Sequence, residues 1–143
     1  MQVSELMSRN VRIANPEQSL REAAQMMAEI DCGFLPVGAN DRLVGMITDR
    51  DIAVRGIARG LGPDTPVEEV MTHDVKYCFE DEDIDEIASK MGDDQIRRLP
   101  VINRDKRLVG VLSLGDIALE NHAAHAAETA LSGISRHNPQ LPH

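Results

Sequence analysis

The chain repeats one block of sequence, and this repeat constrains the fold more than any other feature. Residues 35–37 (Leu-Pro-Val) recur 64 positions later as residues 99–101. Residues 43–52 recur 65 positions later as residues 108–117. The one extra residue falls in the loop between the two blocks, where duplicated units tolerate insertion. The sequence therefore predicts two copies of one unit, and each copy is too small to be comfortably stable alone.

The same order of local signals appears in each copy. A short β-rich stretch (residues 11–13 and 75–77) precedes a helix whose apolar residues fall at i, i+3, i+4 and i+7. Two short apolar strands and a second helix follow. We therefore predict an α+β fold of two β-α-β-β-α repeats, packed as a pseudo-two-fold pair with a shared core. The two helix stripes consist of Leu20, Ala23, Ala24 and Met27, and of Ile84, Ile87, Ala88 and Met91.

Prolines and glycines indicate strand positions and boundaries. Pro36 and Pro100 lie within predicted strands, and since proline cannot donate to a ladder, we expect these strands at an edge or a bulge. Residues 58–66 are rich in Gly and Pro, which is typical of a linker. We therefore divide the chain into a first repeat with the start of the linker (1–62) and a second repeat (63–122). Residues 123–143 are expected to form the end of a C-terminal helix and a disordered tail.

Composition argues against several classes of function. The net charge is −9 and only three residues are aromatic, which disfavours nucleic-acid binding. No apolar run approaches the ~20 residues of a membrane helix, and the first residues lack the features of a signal peptide. We therefore expect a cytoplasmic protein with no membrane partner. In that compartment Cys32 and Cys78 are expected to be buried thiols rather than a disulfide.

A hydroxyl and a carboxylate recur at the predicted start of the second helix of each copy. Thr48 and Asp51, like Ser113 and Asp116, have the spacing of a helix capping box. The same groups at a helix N-terminus also suit recognition of a ribose diol. Spacing alone favours the cap, and both interpretations stay open at this point.

The residues around these pairs carry a family resemblance. Residues 45–51 and 110–116 both fit the pattern Gly-h-x-[Ser/Thr]-x-x-Asp, where h is apolar, shortly after an apolar-Pro-Val strand. This pattern resembles the CBS domain family, and the tandem copies resemble a CBS pair (Bateman module) over about residues 3–122. The first copy is most similar to small stand-alone bacterial CBS-pair proteins of the hypoxic-response type.

The resemblance implies a regulatory module that binds an adenosine derivative in clefts between the repeats. Such ligands include AMP, ADP, ATP, NAD(H) and S-adenosylmethionine. The resemblance further implies ribose-binding roles for Thr48, Asp51, Ser113 and Asp116, and phosphate-binding roles for Arg97 and Arg98. Arg50, at the start of the helix in the first copy, is a further phosphate candidate.

The candidate phosphate residues are not repeated between the copies. Arg97 and Arg98 correspond to Gly33 and Phe34, and Arg50 corresponds to Gly115. We therefore expect unequal clefts, one binding a phosphorylated ligand and the other binding weakly or staying empty.

The sequence contains no recognisable catalytic or cofactor signature. We find no nucleophile with a paired base, no metal quartet at a known spacing and no P-loop. We therefore predict a non-enzymatic sensor with no catalytic residues, no required cofactor and no metal site. We expect this sensor to be a homodimer that acts on an unknown protein partner. The alternative is a ligand-free interaction or scaffold dimer. The scaffold alternative includes an intersubunit zinc site, with candidate ligands His73, Cys78, His122 and His125.

Overall fold

The computed structural model describes residues 1–118, and these form two compact units. The first-repeat unit contains residues 12–75 and 106–108, and the second-repeat unit contains residues 1–11, 76–105 and the chain from residue 109. The predicted division at residue 62 separates two continuous stretches of chain. The compact units are not continuous, because residues 1–11 belong to the second-repeat unit and residues 106–108 belong to the first-repeat unit. The expectations for residues 123–143, including His125, and for His122 lie outside the described residues.

The first-repeat unit is built from a capped helix and a β-hairpin. Helix α1 begins where the Ser19 hydroxyl accepts a hydrogen bond from Glu22 N (3.1 Å), and it ends at Asp31 with a left-handed φ of 52°. Strands β1 and β2 pair antiparallel, with a bulge after Val37. The elements are α1 (Leu20–Ile30), β1 (Phe34–Ala39), β2 (Arg42–Thr48) and α2 (Asp49–Asp51), which continues as a π-helix (Ile52–Gly56) and a 3-10 turn (Ile57–Arg59).

The second-repeat unit has the same plan with a three-stranded sheet. Asp83 caps α3 by accepting from the backbone N–H groups of Asp85 and Glu86 (3.2 and 3.4 Å). The strand order is β3-β4-β5, with β3 parallel to β4. The elements are β3 (Cys78–Phe79), α3 (Ile84–Asp94), β4 (Arg98–Ile102), β5 (Leu108–Ser113) and α4 (Leu114–Ala118).

The α+β class and both amphipathic helices are confirmed, with one change to the buried stripes. All four predicted apolar residues of α3 are buried. In α1, Leu20, Ala23 and Met27 are buried as predicted, but Ala24 is exposed and Met26 is buried instead. The stripe therefore lies slightly to one side of the predicted face.

The first strand of each repeat begins later than predicted. Residues 11–13 form no strand, and this part of the chain pairs with β1 only through one parallel bridge, between Ala14 and Val37. In the second-repeat unit the strand is Cys78–Phe79, not residues 75–77. Burial explains the shift, because Ile13 and Tyr77 remain 42% and 48% exposed whereas Ala14 and Cys78 are buried. β-propensity predicts strands at the exposed residues, whereas the residues that pair are the buried ones.

The expectation that proline marks an edge strand is wrong for β4. This strand lies between β3 and β5. Strand β3 is two residues long and meets β4 at Val101 and Ile102, so Pro100 need not donate to it. In the first-repeat unit Pro36 opposes Met46, whose own N–H and C=O bond to Thr72 instead. Proline is therefore tolerated at positions where the ladder requires no donor.

Two short segments, which we call the leading segments (residues 3–8 and 67–72), each complete the unit formed by the other repeat. In residues 67–72, Thr72 exchanges two backbone hydrogen bonds with Met46 of β2 (3.0 and 2.8 Å). In residues 3–8, Ser8 exchanges two with Val111 of β5 (2.8 and 3.0 Å). Their apolar residues enter the cores, with Val3 and Met7 buried in the second-repeat unit. Strands β2 and β5, each at the end of its sheet, therefore gain a partner from the leading segment of the other copy.

Glycine permits these crossings. A Cβ added to Gly45 would lie 2.8 Å from both Met71 Sδ and Thr72 O. A Cβ added to Gly110 would lie 2.6 Å from Ser8 O. Because the obstructing atoms include backbone, the crossing segment would have to move. The first glycine of the repeated pattern thus has a packing role.

We predict that Gly45→Ala and Gly110→Ala each lower the free energy of unfolding by about 1–3 kcal/mol, since overpacking displaces the crossing backbone. Urea unfolding followed by circular dichroism measures the change. Gly62→Ala is the matched control, because no atom lies within 4 Å of its added Cβ. An unfolding midpoint for Gly45→Ala equal to that of Gly62→Ala would contradict this packing role.

The two cysteines differ in environment, and both are free thiols. Cys78 is buried as predicted, whereas Cys32 is only partly buried. Burial raises the pKa of the Cys78 thiol from 9.0 to about 12, with a further contribution from the Glu82 carboxylate. The native state therefore keeps this proton above pH 9, where the unfolded chain loses it, and stability falls as pH rises through that range.

We predict that a thiol reagent at pH 8 modifies Cys32 in the native protein and spares Cys78 until the chain unfolds, because the thiolate is the reactive form. Mass spectrometry after timed alkylation locates the label. A Cys32→Ser variant should react only in denaturant. Rapid labelling of Cys78 in that folded variant would refute its burial.

Candidate functional site

Both predicted capping boxes are formed. In the first-repeat unit Thr48 Oγ1 accepts from Asp51 N (3.1 Å), and Asp51 Oδ2 accepts from Thr48 N (3.0 Å). In the second-repeat unit Ser113 Oγ accepts from Asp116 N and Asp116 Oδ2 accepts from Ser113 N, both at 3.1 Å. The four residues therefore have the local structural role that their spacing predicted.

The boxes leave hydrogen-bonding groups available for a ligand. Each box occupies the hydroxyl oxygen as an acceptor and one carboxylate oxygen, so the hydroxyl proton and Oδ1 lie outside it. The Asp51 side chain is 17% exposed, with Oδ1 4.0 Å from Arg55 Nη1. A donor next to an acceptor is complementary to the two hydroxyls of a ribose. The cap and ligand interpretations are therefore compatible.

The same backbone bond places the start of each helix beside the start of a strand. Asp49 N donates to Gly33 O at 3.0 Å, and Leu114 N donates to Arg97 O at 3.0 Å. We call this contact the strand–helix junction. Since the bond is the same in both units, the side chains around it can be compared position by position.

In the second-repeat unit a pocket of about 340 Å³ lies at the junction. This volume is at the lower end of the ~300–1,000 Å³ typical of ligand pockets. The pocket brings together three of the predicted site residues, and Asp116 belongs to the box of the Ser113 that lines it. Its lining residues are Arg97, Arg98, Ser113, Leu114, Gly115 and Ala118. Two arginines and a serine thus line the pocket together with the apolar Leu114 and Ala118.

The junction of the first-repeat unit has different side chains. Gly33 and buried Phe34 stand where the second unit has Arg97 and Arg98. A Cβ added to Gly33 would lie 2.6 Å from Asp49 Cγ and 2.8 Å from Asp49 Oδ1. That carboxylate also accepts from Arg50 N at 2.8 Å. Arg50 thus lies in the first turn of α2, next to an acid.

Asp49 lies at this junction, although the sequence motif gave it no binding role. A carboxylate in the first turn of a helix has an ordinary explanation in the helix dipole, so its type and position alone do not indicate a ligand. The available signal was the copy alignment, in which Asp49 corresponds to Leu114 and Gly33 to Arg97.

Of the metal candidates, His73 and Cys78 lie in the described part of the chain, where no group of three or more His, Cys, Asp or Glu is placed to hold a metal ion. Cys78 is buried and its pKa is raised to about 12, which opposes the thiolate that zinc requires. A ring nitrogen of His73 lies 3.2 Å from the Glu68 carbonyl oxygen.

The fold and the paired junctions define a tandem module of the kind that the sequence resemblance implied. The CBS domain family model matches residues 3–55 and 67–122. The chain therefore belongs to the CBS domain family and contains two copies of the domain. By these boundaries each leading segment is the start of one domain, although it packs in the unit of the other.

Relatives match over most of their length. The CBS domain-containing protein YhcV of Bacillus subtilis is 37% identical over 136 residues, covering 95% of this chain and 96% of YhcV. Hypoxic response protein 1 of Mycobacterium tuberculosis is 41% identical over 123 residues, covering 83% and 85%.

Solved structures of similar proteins include complexes. A crystal structure of hypoxic response protein I with two coordinated zinc ions has a TM-score of 0.76 and 38% identity, covering 84% of this chain and 98% of that one. The crystal structure of the CBS pair of MJ0100 with 5′-methylthioadenosine and S-adenosyl-L-methionine has a TM-score of 0.72 and 32% identity, covering 83% of this chain and 94% of that one. The CBS domain protein PAE2072 of Pyrobaculum aerophilum, complexed with AMP, has a TM-score of 0.78 and 27% identity, covering 90% of this chain and 99% of that one.

None of the helices in the described residues combines the length and the apolar character that a membrane crossing needs.

Proposed function

We propose that this protein is a non-enzymatic regulatory sensor that binds an adenosine-containing ligand. The observation that carries the proposal is the second-repeat pocket, where Arg97, Arg98 and Ser113 meet beside Asp116. Complexes of two similar proteins with AMP and with S-adenosylmethionine support the adenosine class.

Each part of such a ligand has a chemical counterpart in the pocket. Ser113 and Asp116 offer a donor and an acceptor to the ribose diol. Arg97 and Arg98 offer planar donors to a phosphate, which guanidinium groups bind in bidentate fashion. Leu114 and Ala118 give an apolar wall suited to the nucleoside. The residue roles proposed here are therefore ribose binding at Ser113 and Asp116, and phosphate binding at Arg97 and Arg98.

We expect Asp116→Asn to weaken AMP binding by about 10- to 100-fold, because a charged hydrogen bond to the ribose is lost. Asparagine retains an acceptor for Ser113 N, so the helix cap survives. Arg98→Glu should weaken AMP and ATP far more than adenosine. Calorimetric titration with adenosine, AMP, ADP, ATP, NADH and S-adenosylmethionine measures these affinities.

Arg59→Glu is the matched control, since it makes the same charge reversal on an exposed residue of the other unit. It should leave all affinities unchanged. No heat from any ligand at millimolar concentration would refute the sensor. Equal losses for AMP and adenosine in Arg98→Glu would refute the phosphate role of that arginine.

A second candidate function is assembly, and an apolar surface of the first-repeat unit favours it. A pocket of about 350 Å³ there has mostly apolar walls. Ile57 lines it and is 69% exposed, and Val54 is also exposed. Since exposed apolar patches mark interaction sites, we propose a second copy of this chain as the occupant, giving a homodimer. Apolar lining residues are Leu20, Ala24, Ala28, Ile52, Ile57, Leu61 and Pro63.

We predict that the wild-type protein has the mass of a dimer in light scattering and that Ile57→Asp has the mass of a monomer, because a buried charge would oppose the contact. Ile13→Asp, at another exposed isoleucine, should remain dimeric. A monomeric wild type would rule out this interface. A dimer that binds no adenosine derivative would favour the scaffold alternative.

A further inference from the structure

We infer that Asp49 makes the first-repeat junction selective for adenosine derivatives whose 5′ substituent is neutral or cationic. The second-repeat pocket would by contrast accept phosphorylated derivatives. This inference rests on the proposed function, because it assumes that adenosine derivatives bind at the two junctions.

The two junctions have the same backbone hydrogen bond. One hydrogen bond of 3.0 Å joins position 49 to position 33, and its counterpart of 3.0 Å joins position 114 to position 97. The capping boxes that follow have matching bonds of 3.0–3.1 Å. The hydroxyl and the carboxylate of each capping box are therefore held by the same local hydrogen bonds in both units. The units differ in the side chains beside the box.

Asp49 occupies the space that a side chain at position 33 would need. The added Cβ of Gly33 would lie 2.6 Å from Asp49 Cγ. In the second-repeat unit this position is Arg97, and its partner across the junction is the buried Leu114. Hence the Asp49 carboxylate fits beside residue 33 because glycine has no Cβ there.

The junctions differ in the charged side chains beside the strand start. Arg97 and Arg98 line the second-repeat pocket. In the first-repeat unit both are absent at the equivalent positions, and a carboxylate is held at the junction through Arg50 N at 2.8 Å. A phosphate placed there would meet a like charge, whereas a cationic group would meet an opposite charge. Specificity by repulsion of this kind is an efficient way to reject one ligand among close analogues.

Arg50 does not restore the equivalence. It follows Asp49 on the exposed start of α2, whereas Arg97 and Arg98 lie on the strand side of the junction. The corresponding strand positions of the first-repeat unit, Gly33 and Phe34, carry no charge. Any attraction of Arg50 for a phosphate is opposed by the neighbouring acid.

The test uses a background in which Asp116→Asn and Arg98→Glu disable the second-repeat pocket. Titration of this protein with adenosine, AMP and S-adenosylmethionine reports the first-repeat junction. We expect S-adenosylmethionine and adenosine to bind more tightly than AMP. Adding Asp49→Asn should strengthen AMP about five- to tenfold, weaken S-adenosylmethionine, and leave adenosine within twofold.

Asp64→Asn is the matched control, because it removes one exposed carboxylate from the same unit and should leave the ligand order unchanged. A second variant, Gly33→Arg combined with Asp49→Leu, installs the residue pair of the other unit and should make AMP the preferred ligand. Retention of the original preference in both Asp49 variants would overturn the inference.

The outcomes separate the inference from the proposed function. If the wild-type protein binds no adenosine derivative, both fail. If the wild type binds and the disabled background binds nothing, the first-repeat junction takes no ligand and the inference alone fails. A disabled background that already prefers AMP would likewise overturn the role of Asp49 and leave the sensor proposal standing.

Discussion

The crossing of each leading segment over a glycine of the opposite repeat is the contact on which the rest of the structure depends. Thr72 pairs with Met46 beside Gly45, and Ser8 pairs with Val111 beside Gly110. Each crossing covers the free side of a strand that would otherwise be an open edge. It also holds the strand two or three residues before its capping box. The position of the ribose-binding candidates is therefore set by packing that involves residues distant in sequence.

The capping box explains how one pair of residues serves both stability and binding. Each cap contributes on the order of 1 kcal/mol, and the reciprocal bonds fix the rotamers of the hydroxyl and the carboxylate. A ligand then meets groups that are already ordered, so less conformational entropy is lost on binding. The structural role and the proposed recognition role support each other, and a choice between them is unnecessary.

Local features were predictable from the sequence, and features that depend on distant pairing were not. The helix stripe of Ile84, Ile87 and Met91 and both capping boxes are encoded within a few residues. The first strand of each repeat lies later in the sequence than predicted, because pairing such as the parallel bridge at Ala14 depends on burial rather than on β-propensity. The exchange of leading segments was missed because chain order gives no indication of which copy Met7 or Met71 packs against.

The two junctions differ in the charge of side chains that the fold does not require. The capping residues are chemically equivalent in both copies because the helices require them. Asp49, Arg97 and Arg98 are exposed, and substitutions at exposed positions usually change stability little. A duplicated unit can therefore keep two equal frames for a nucleoside while the charge beside each frame diverges. Divergence of this kind would allow one small protein to respond to two ligands of opposite charge.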